Sequence, residues 1–292
     1  MTRTQASRRR RMGGVLVGVL IGLLVLWSVL PLYWLVTVSL ENLRQVSQVP
    51  LSFYPPTPTL NNYLGMFLHP DVVNSEAYRF LHALRNSLFA SVATTIICVF
   101  LGSATGYVLA RYPIRGRDLL SLGFLATNLL PQIALVVPFY VLVVVYAGFL
   151  YDTNWVLILL YTSFILGFVV WVMRGYFASI PKDLEDAARI DGAGWFTAYW
   201  RIALPLAAPG LFAVSLLSFL LSWDQFLLPL VFAPDPSGYN LPFFIYSLNG
   251  QYLHQYNEIA AGGVLTSIPP VLIVLLFGRY IVSGLTAGGV KG

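Results

Sequence analysis

The sequence predicts an all-α polytopic membrane protein with six transmembrane helices and a polar helical insert between the fourth and fifth. Three observations predict it. Apolar runs recur that reach the roughly 20 residues a helix needs to cross the hydrocarbon core. Hydrophobic residues make up 58% of the 292 and charged residues only 10%, against about 25% charged in an ordinary soluble domain. Lys and Arg also crowd into alternate connections between the apolar runs. Short basic loops of this kind are what positive-inside topology produces, so the net charge of +5 calls for no nucleic-acid partner.

Residues 1–14 form a basic N-terminal segment carrying Arg3 and the run Arg8, Arg9, Arg10 and Arg11. Arginines before an apolar stretch resemble a secretory signal. The apolar run continues from Met12 to Leu40, however. That is well beyond a signal core of about 7–15 residues, and no small-residue cleavage site follows. It reads as an uncleaved first span, Val15–Ser39. Residues 15–83 comprise this span and an outer loop from Glu41 to Ala83. Its Pro50, Pro55, Pro56 and Pro58 favour extended backbone over helix.

Further spans are predicted at Leu84–Ala110, Leu119–Ala147, Trp155–Phe177, Gly210–Phe232 and Ile259–Ser283, within a core of residues 84–283. Residues 284–292 form a tail. Pro31, Pro131, Pro138, Pro229, Pro269 and Pro270 fall within the spans, where proline kinks a helix or ends it early. Cys98 sits alone in an apolar run, and His69, His82 and His254 lack ligand spacing, so neither a disulfide framework nor a metal site is expected.

Basic residues set the orientation. Arg111, Arg115 and Arg117 follow span two, and Arg174, Lys182, Arg189 and Arg201 lie between spans four and five. Together with the N-terminal arginines, Arg279 and Lys291, they fall on one side. Only Arg44, Arg79 and Arg85 fall on the other. Both termini are therefore expected in the cytoplasm. The outer face then carries the proline-rich loop, a short turn around Asp152 and Asn154, and a loop from Pro234 to Asn257 without Lys or Arg.

The cytoplasmic insert, residues 179–209, reads as two short helices. Ser179 or Ile180 can cap the first, with Pro181 near its opening position, where a missing N–H costs nothing. Asp183, Glu185 and Asp186 in the first turns suit the positive end of the helix dipole. Leu184, Ala187, Ala188 and Ile190 or Asp191 recur at three- and four-residue spacings, giving a small-residue stripe suited to close docking. Gly192 supplies the left-handed position that stops the helix. A second helix is expected from Trp195 to Ile202, until Pro205 interrupts it. Two uses fit such an element. It docks a cytoplasmic partner, or it lies in the membrane interface with Trp195, Tyr199 and Trp200 as anchors.

The same stretch resembles the coupling motif of the permease subunits of ATP-binding-cassette importers. The family pattern is Glu-Ala-Ala, three residues, Gly, nine residues, then Ile-x-Leu-Pro. Asp186-Ala187-Ala188, Gly192 and Ile202-Ala203-Leu204-Pro205 match at every spacing. Asp186 stands where the family has Glu, with Glu185 adjacent, so either acid can be the one that meets the partner. Arg85-Asn86-Ser87-Leu88 and Trp223-Asp224-Gln225-Phe226 resemble two further family segments. The tail from Gly284 to Gly292 resembles that of inner permeases of the maltose-transporter type.

This resemblance implies the carbohydrate-uptake branch and a bacterial or archaeal cytoplasmic membrane. It implies a heterodimer with a second homologous permease, two ATPase subunits carrying ATP and Mg, and an extracellular or periplasmic substrate-binding protein. Glu185, Asp186, Ala187, Ala188, Asp191, Gly192, Ala193, Ile202, Leu204 and Pro205 would then couple to the ATPase, and Gly288, Gly289 and Lys291 would reach it from the tail. The chain has no Gly-x4-Gly-Lys-[Ser/Thr] phosphate loop, so it is expected to be no ATPase itself.

Polar residues within spans are functional candidates because they are costly there. Trp223, Asp224 and Gln225 in span five, with Asn128 and Gln132 around Pro131 in span three, are the candidates for a sugar path. Such residues also serve simply to join helices. Oligosaccharides, disaccharides and glycerol-phosphate-like compounds all fit. The competing reading is a proton-coupled carrier using Asp224 and Glu258, although no inverted repeat of the kind such carriers often show is apparent. A membrane-embedded enzyme finds no paired carboxylates or nucleophile motif in the spans.

Overall fold

The computed structural model describes residues 3–50, 52–73, 75–235, 238–249 and 255–287. Among them the chain is helical and has no strand. It divides into two compact units, residues 1–66 with 245–267, and residues 67–244 with 268–292.

The larger unit is organised by the pairing of α4 (Glu76–Arg111) with α7 (Asn154–Ser179). Small residues permit it. A Cβ added to Gly102 would meet the Val169 side chain at 2.5 Å, and one added to Gly106 would meet the backbone of Arg174 at 2.8 Å. The two glycines are four residues apart and so share one face of α4. This is the small-xxx-small arrangement that lets helix backbones approach in lipid, where apolar surface alone gives no drive to associate. Cys98, Tyr107, Val169, Met173 and Phe177 fill the contact.

α4 starts eight residues before the predicted span two. Ser75 caps it by accepting from the Tyr78 amide at 3.0 Å, and Glu76 stands in the first turn. The loop expected on the outer face is also less extended than the prolines suggested. It contains α2 (Leu43–Val46), closed by a reciprocal Asn42–Gln45 capping box, and α3 (Asn61–Gly65).

Among the described residues, four helices are long and apolar enough to cross a membrane: Gly14–Ser39 within α1 (Arg3–Ser39), α4, α7, and Tyr256–Gly278 within α14 (Tyr256–Ala287). Two bent pairs make the number up to six if each counts as one span. Predicted span three is the first pair. Its α5 (Arg117–Ala126) runs on through a 3-10 turn to Leu129, and α6 (Gln132–Val141) continues as a π turn to Tyr146, at 94° to it. The break falls at Leu130 and Pro131, both extended with ψ near 124°, because the residue before a proline is pushed out of the helical region. Pro31, Pro269 and Pro270, in contrast, lie within continuous helices.

Predicted span five is not continuous either. Its α11 (Ala208–Trp223) ends at Asp224, and α12 (Leu227–Phe232) resumes three residues later, with α13 (Leu241–Ser247) beyond.

In the smaller unit, Asn62 of α3 ties three segments together. Its amide donates to the carbonyls of Ser39 and Glu41, both at 2.8 Å, and its oxygen accepts from Asn257 of α14 at 2.7 Å. Ser39 and the Tyr63 hydroxyl share a further bond of 2.6 Å. The end of α1 is thus fastened by hydrogen bonds to buried backbone carbonyls that would otherwise lack partners.

Candidate functional site

The insert forms α8 (Asp183–Ile190), α9 (Trp195–Ala198) and α10 (Leu204–Leu206), with a π turn over Tyr199–Ala203 joining the last two. Two expectations are corrected. Ser179 belongs to the last turn of α7 and donates to the Tyr176 carbonyl, so neither it nor Ile180 caps α8, which opens after Lys182. Pro205 does not interrupt the second helix. The preceding π turn already breaks the regular ladder, which accommodates a residue lacking an N–H, and the bend of 76° comes at Ala207.

Gly192 takes φ 88°, the left-handed conformation expected for it. Its amide donates to the Arg189 carbonyl at 3.0 Å, and the Ala193 amide donates to Ala188 at 2.9 Å. These two bonds are those of a Schellman ending. The chain then turns back so that the Arg189 guanidinium lies over the Trp195 ring, 3.0 Å from its centre.

The insert is fastened to α4 by a polar stripe. Ser103, Tyr107 and Arg111 recur every four residues and so line one face of α4. Ser103 bonds the Tyr199 hydroxyl at 2.9 Å. The Tyr107 hydroxyl donates to Glu185 Oε2 at 2.7 Å, and Arg111 Nε donates to Glu185 Oε1 at 2.7 Å, with Nη2 in ion-pair contact with the same oxygen at 2.7 Å. Arg111 also donates to the Ile180 carbonyl at 3.1 Å. The Arg111 and Glu185 side chains are only 4% and 3% exposed. An ion pair this deep costs desolvation on both sides, so removing one partner leaves a buried charge, at about 3–5 kcal/mol.

Asp186 points the other way. Its side chain is 61% exposed and 3.7 Å from Arg189. Ala187, Ile190, Asp191 and Gly192 are exposed beside it, while Ala188 and Ala193 are half-buried. Tyr199 is buried against Tyr107, their ring centres 4.9 Å apart, which removes it from the set of interface anchors considered above. Ile202 and Leu204 are half-buried, with Leu204 packed on the core, and Pro205 is exposed. Sequence reasoning missed Ser103, Tyr107 and the inward turn of Glu185. The four-residue spacing along α4 was the available signal.

The path candidates separate. Gln132 at the start of α6 donates to Gln225 Oε1 at 3.1 Å, joining the break before α6 to the gap between α11 and α12. Asn240 in turn donates to the Gln225 carbonyl. Asp224 is exposed at the end of α11, whereas Trp223 is buried and stacked on Phe219 at 5.5 Å. Trp223 therefore presents no free aromatic face. Asn128 is exposed, but its amide, turned to satisfy both partners, meets the Phe164 carbonyl and Phe168 amide of α7 at 3.2 Å each. Glu258 is half-buried in the first turn of α14. Gly288, Gly289 and Lys291 lie outside the described residues.

Nearer the N-terminal ends of α4 and α7, Asn86 donates to the Tyr239 carbonyl at 3.0 Å and accepts from Asn154 at 2.9 Å. Ser87 accepts from the Leu241 amide at 2.8 Å. The Arg85–Leu88 segment thus holds the loop before α13 in place.

These helices define a polytopic α-helical membrane protein. The chain belongs to the family of binding-protein-dependent transport system inner membrane components, whose model matches residues 99–286. It is 36% identical over 272 residues to the trehalose transport system permease protein SugB of Mycobacterium tuberculosis, covering 92% of this chain and 95% of that one. It is 32% identical over 270 residues to the sulfoquinovosyl glycerol transport system permease protein SmoH of Agrobacterium fabrum, covering 92% and 91%. A crystal structure of a bacterial importer of the acidic polysaccharide alginate contains a chain of the same fold. Its TM-score is 0.73, with 20% identity and coverage of 96% and 98%. Membership in this family removes the ground for the proton-coupled carrier reading of Asp224 and Glu258.

Proposed function

We propose that this chain is the half of a sugar importer's translocation path that receives the power stroke of a separate ATPase through α8. The observation that carries this reading is the outward face of α8, where Asp186, Ala187, Ile190 and Asp191 are exposed on a helix fastened to the membrane core. Small side chains let a partner approach closely, and Asp186 offers a charge for a basic residue of the partner. The spacing of Asp186-Ala187-Ala188, Gly192 and Ile202–Pro205 agrees with the family's coupling motif.

A second, homologous permease completes the path. Two ATPase subunits bind ATP and Mg, and a substrate-binding protein delivers solute from outside. Both termini and α8 lie in the cytoplasm, and Gly288, Gly289 and Lys291 are the tail residues assigned to contact with the ATPase. The solute is a sugar or sugar-like compound, in keeping with relatives named for trehalose, sulfoquinovosyl glycerol and arabinooligosaccharides. Gln132 and Gln225, paired at the helix breaks, are the residues of this chain best placed to exchange their mutual bond for one to a sugar hydroxyl.

The test is Ala187→Trp, which puts a bulky ring on the exposed docking face, in a complex assembled with its partner subunits. Loss of ATPase association and of uptake is expected. Wild-type uptake with the ATPase still coupled would overturn the assignment. A thermal-shift screen of the cognate binding protein against sugars identifies the solute.

A further inference from the structure

Adjacent acids on α8 point in opposite directions. Glu185 is the single buried residue of this helix, while Leu184 and Ile190 are 47% and 88% exposed. α8 is therefore held to the protein by hydrogen bonds and charge rather than by an apolar face. Both oxygens of the Glu185 carboxylate are engaged by donors from the last two turns of α4. The same guanidinium reaches the Ile180 carbonyl at the end of α7. Three elements meet at one side chain.

We infer that Glu185 is the positioning residue that fastens α8 to the cytoplasmic end of α4, so that displacement of α8 is delivered to α4 through Arg111 and Tyr107, while Asp186 faces the partner. This rests on the proposed contact between α8 and the ATPase. The geometry suits a rigid link. Charge-assisted bonds of 2.7 Å are short and directional, and a fork of two nitrogens on one oxygen resists rotation more than a single point contact does. The adjoining bond between Ser103 and Tyr199 extends the attachment to the second helix of the insert. A push on the exposed face of α8 then has a stiff route into α4 and, through Gly102 and Gly106, into α7.

The experiment uses the assembled transporter in proteoliposomes and reads two quantities, ATPase subunits co-purified and solute moved per ATP hydrolysed. Glu185→Gln is expected to keep the ATPase bound and to lower solute per ATP by at least about five-fold, the lower end of coupling between sites. Arg111→Lys, which keeps the charge and loses the fork, should fall between it and the wild type. Asp186→Ala should instead release the ATPase. Wild-type solute per ATP in Glu185→Gln overturns the inference. So does release of the ATPase by Glu185→Gln to the same extent as by Asp186→Ala, since Glu185 would then belong to the contact itself. Should Glu185→Gln fail to accumulate in the membrane, Tyr107→Phe decides by the same two outcomes, because it removes one bond to the carboxylate. Silence of both Asp186→Ala and Glu185→Gln overturns the docking reading as well, whereas silence of Glu185→Gln alone overturns only the link.

Discussion

Gly106 lies against Met173 so closely that a Cβ added to it would stand 2.9 Å from the Met173 Cβ. The neighbouring contact, 2.8 Å to the Arg174 amide nitrogen, involves backbone that cannot rotate aside. Gly106→Ala is therefore expected to overpack the α4–α7 contact and to cost about 1–3 kcal/mol. Thermal unfolding in detergent should show a lower midpoint for Gly106→Ala. Gly123→Ala, which meets nothing within 4 Å, should match the wild type.

Gly192 at φ 88° carries a backbone that a side chain with a Cβ tolerates poorly. Gly192→Ala is predicted to destabilise the end of α8 by about 1–2 kcal/mol, and Gly192→Asn by less. Hydrogen exchange at the Gly192 and Ala193 amides should accelerate in the same order. Equal protection in all three chains would contradict the Schellman ending.

Asp152, itself at φ 59°, accepts from the Asp235 amide at 3.2 Å on the turn after span three. Burial and then the facing Asp235 side chain push the Asp152 carboxyl up to about 6 from its ordinary 3.8, with Tyr151 and Tyr140 adjacent. A carboxyl with a folded value above its unfolded one binds its proton more tightly in the folded chain. Stability at this turn is thus greater below about pH 4 than at neutrality and is lost as pH rises toward and past 6. Amide protection of residues 152–154 and 233–235, corrected for intrinsic exchange, should be stronger at pH 5 than at pH 7. Asp152→Asn should remove the difference.

Asn62 satisfies the carbonyls of Ser39 and Glu41 and the amide of Asn257 from a site 8% exposed. Asn62→Leu keeps the approximate volume and leaves those groups without this partner, at about 1–3 kcal/mol for each one that stays buried and dry. Limited proteolysis of the outer loop between Leu40 and Met66 should become faster. Asn62→Asp, which can still accept from Asn257, should be intermediate.

What the sequence disclosed follows from how local each signal is. The membrane class, the end of α8 at Gly192 and the break at Pro131 depend on composition or on neighbouring residues, and all were legible. The spans themselves were legible as apolar runs, yet the bends were not all so. The π turn over Tyr199–Ala203 leaves no mark in periodicity that separates it from a regular turn, so Pro205 looked like a terminator. The direction of Glu185 was hidden for a different reason. Two adjacent acids look alike in a sequence, and the choice between them is made by Arg111, 74 residues away. Likewise Asn86 finds the Tyr239 carbonyl 153 residues on, a distance no spacing rule reaches.

That 74-residue separation sets an order of events during synthesis. Arg111 emerges from the ribosome with α4, and its counter-ion follows only after α5, α6 and the whole of α7 have been made. Until then the guanidinium lacks this carboxylate, and burying it unpaired would be costly. Only once Glu185 has been made can the ion pair at the end of α4 form. A chain truncated before residue 185 would lack that carboxylate and leave Arg111 without its ion-pair partner.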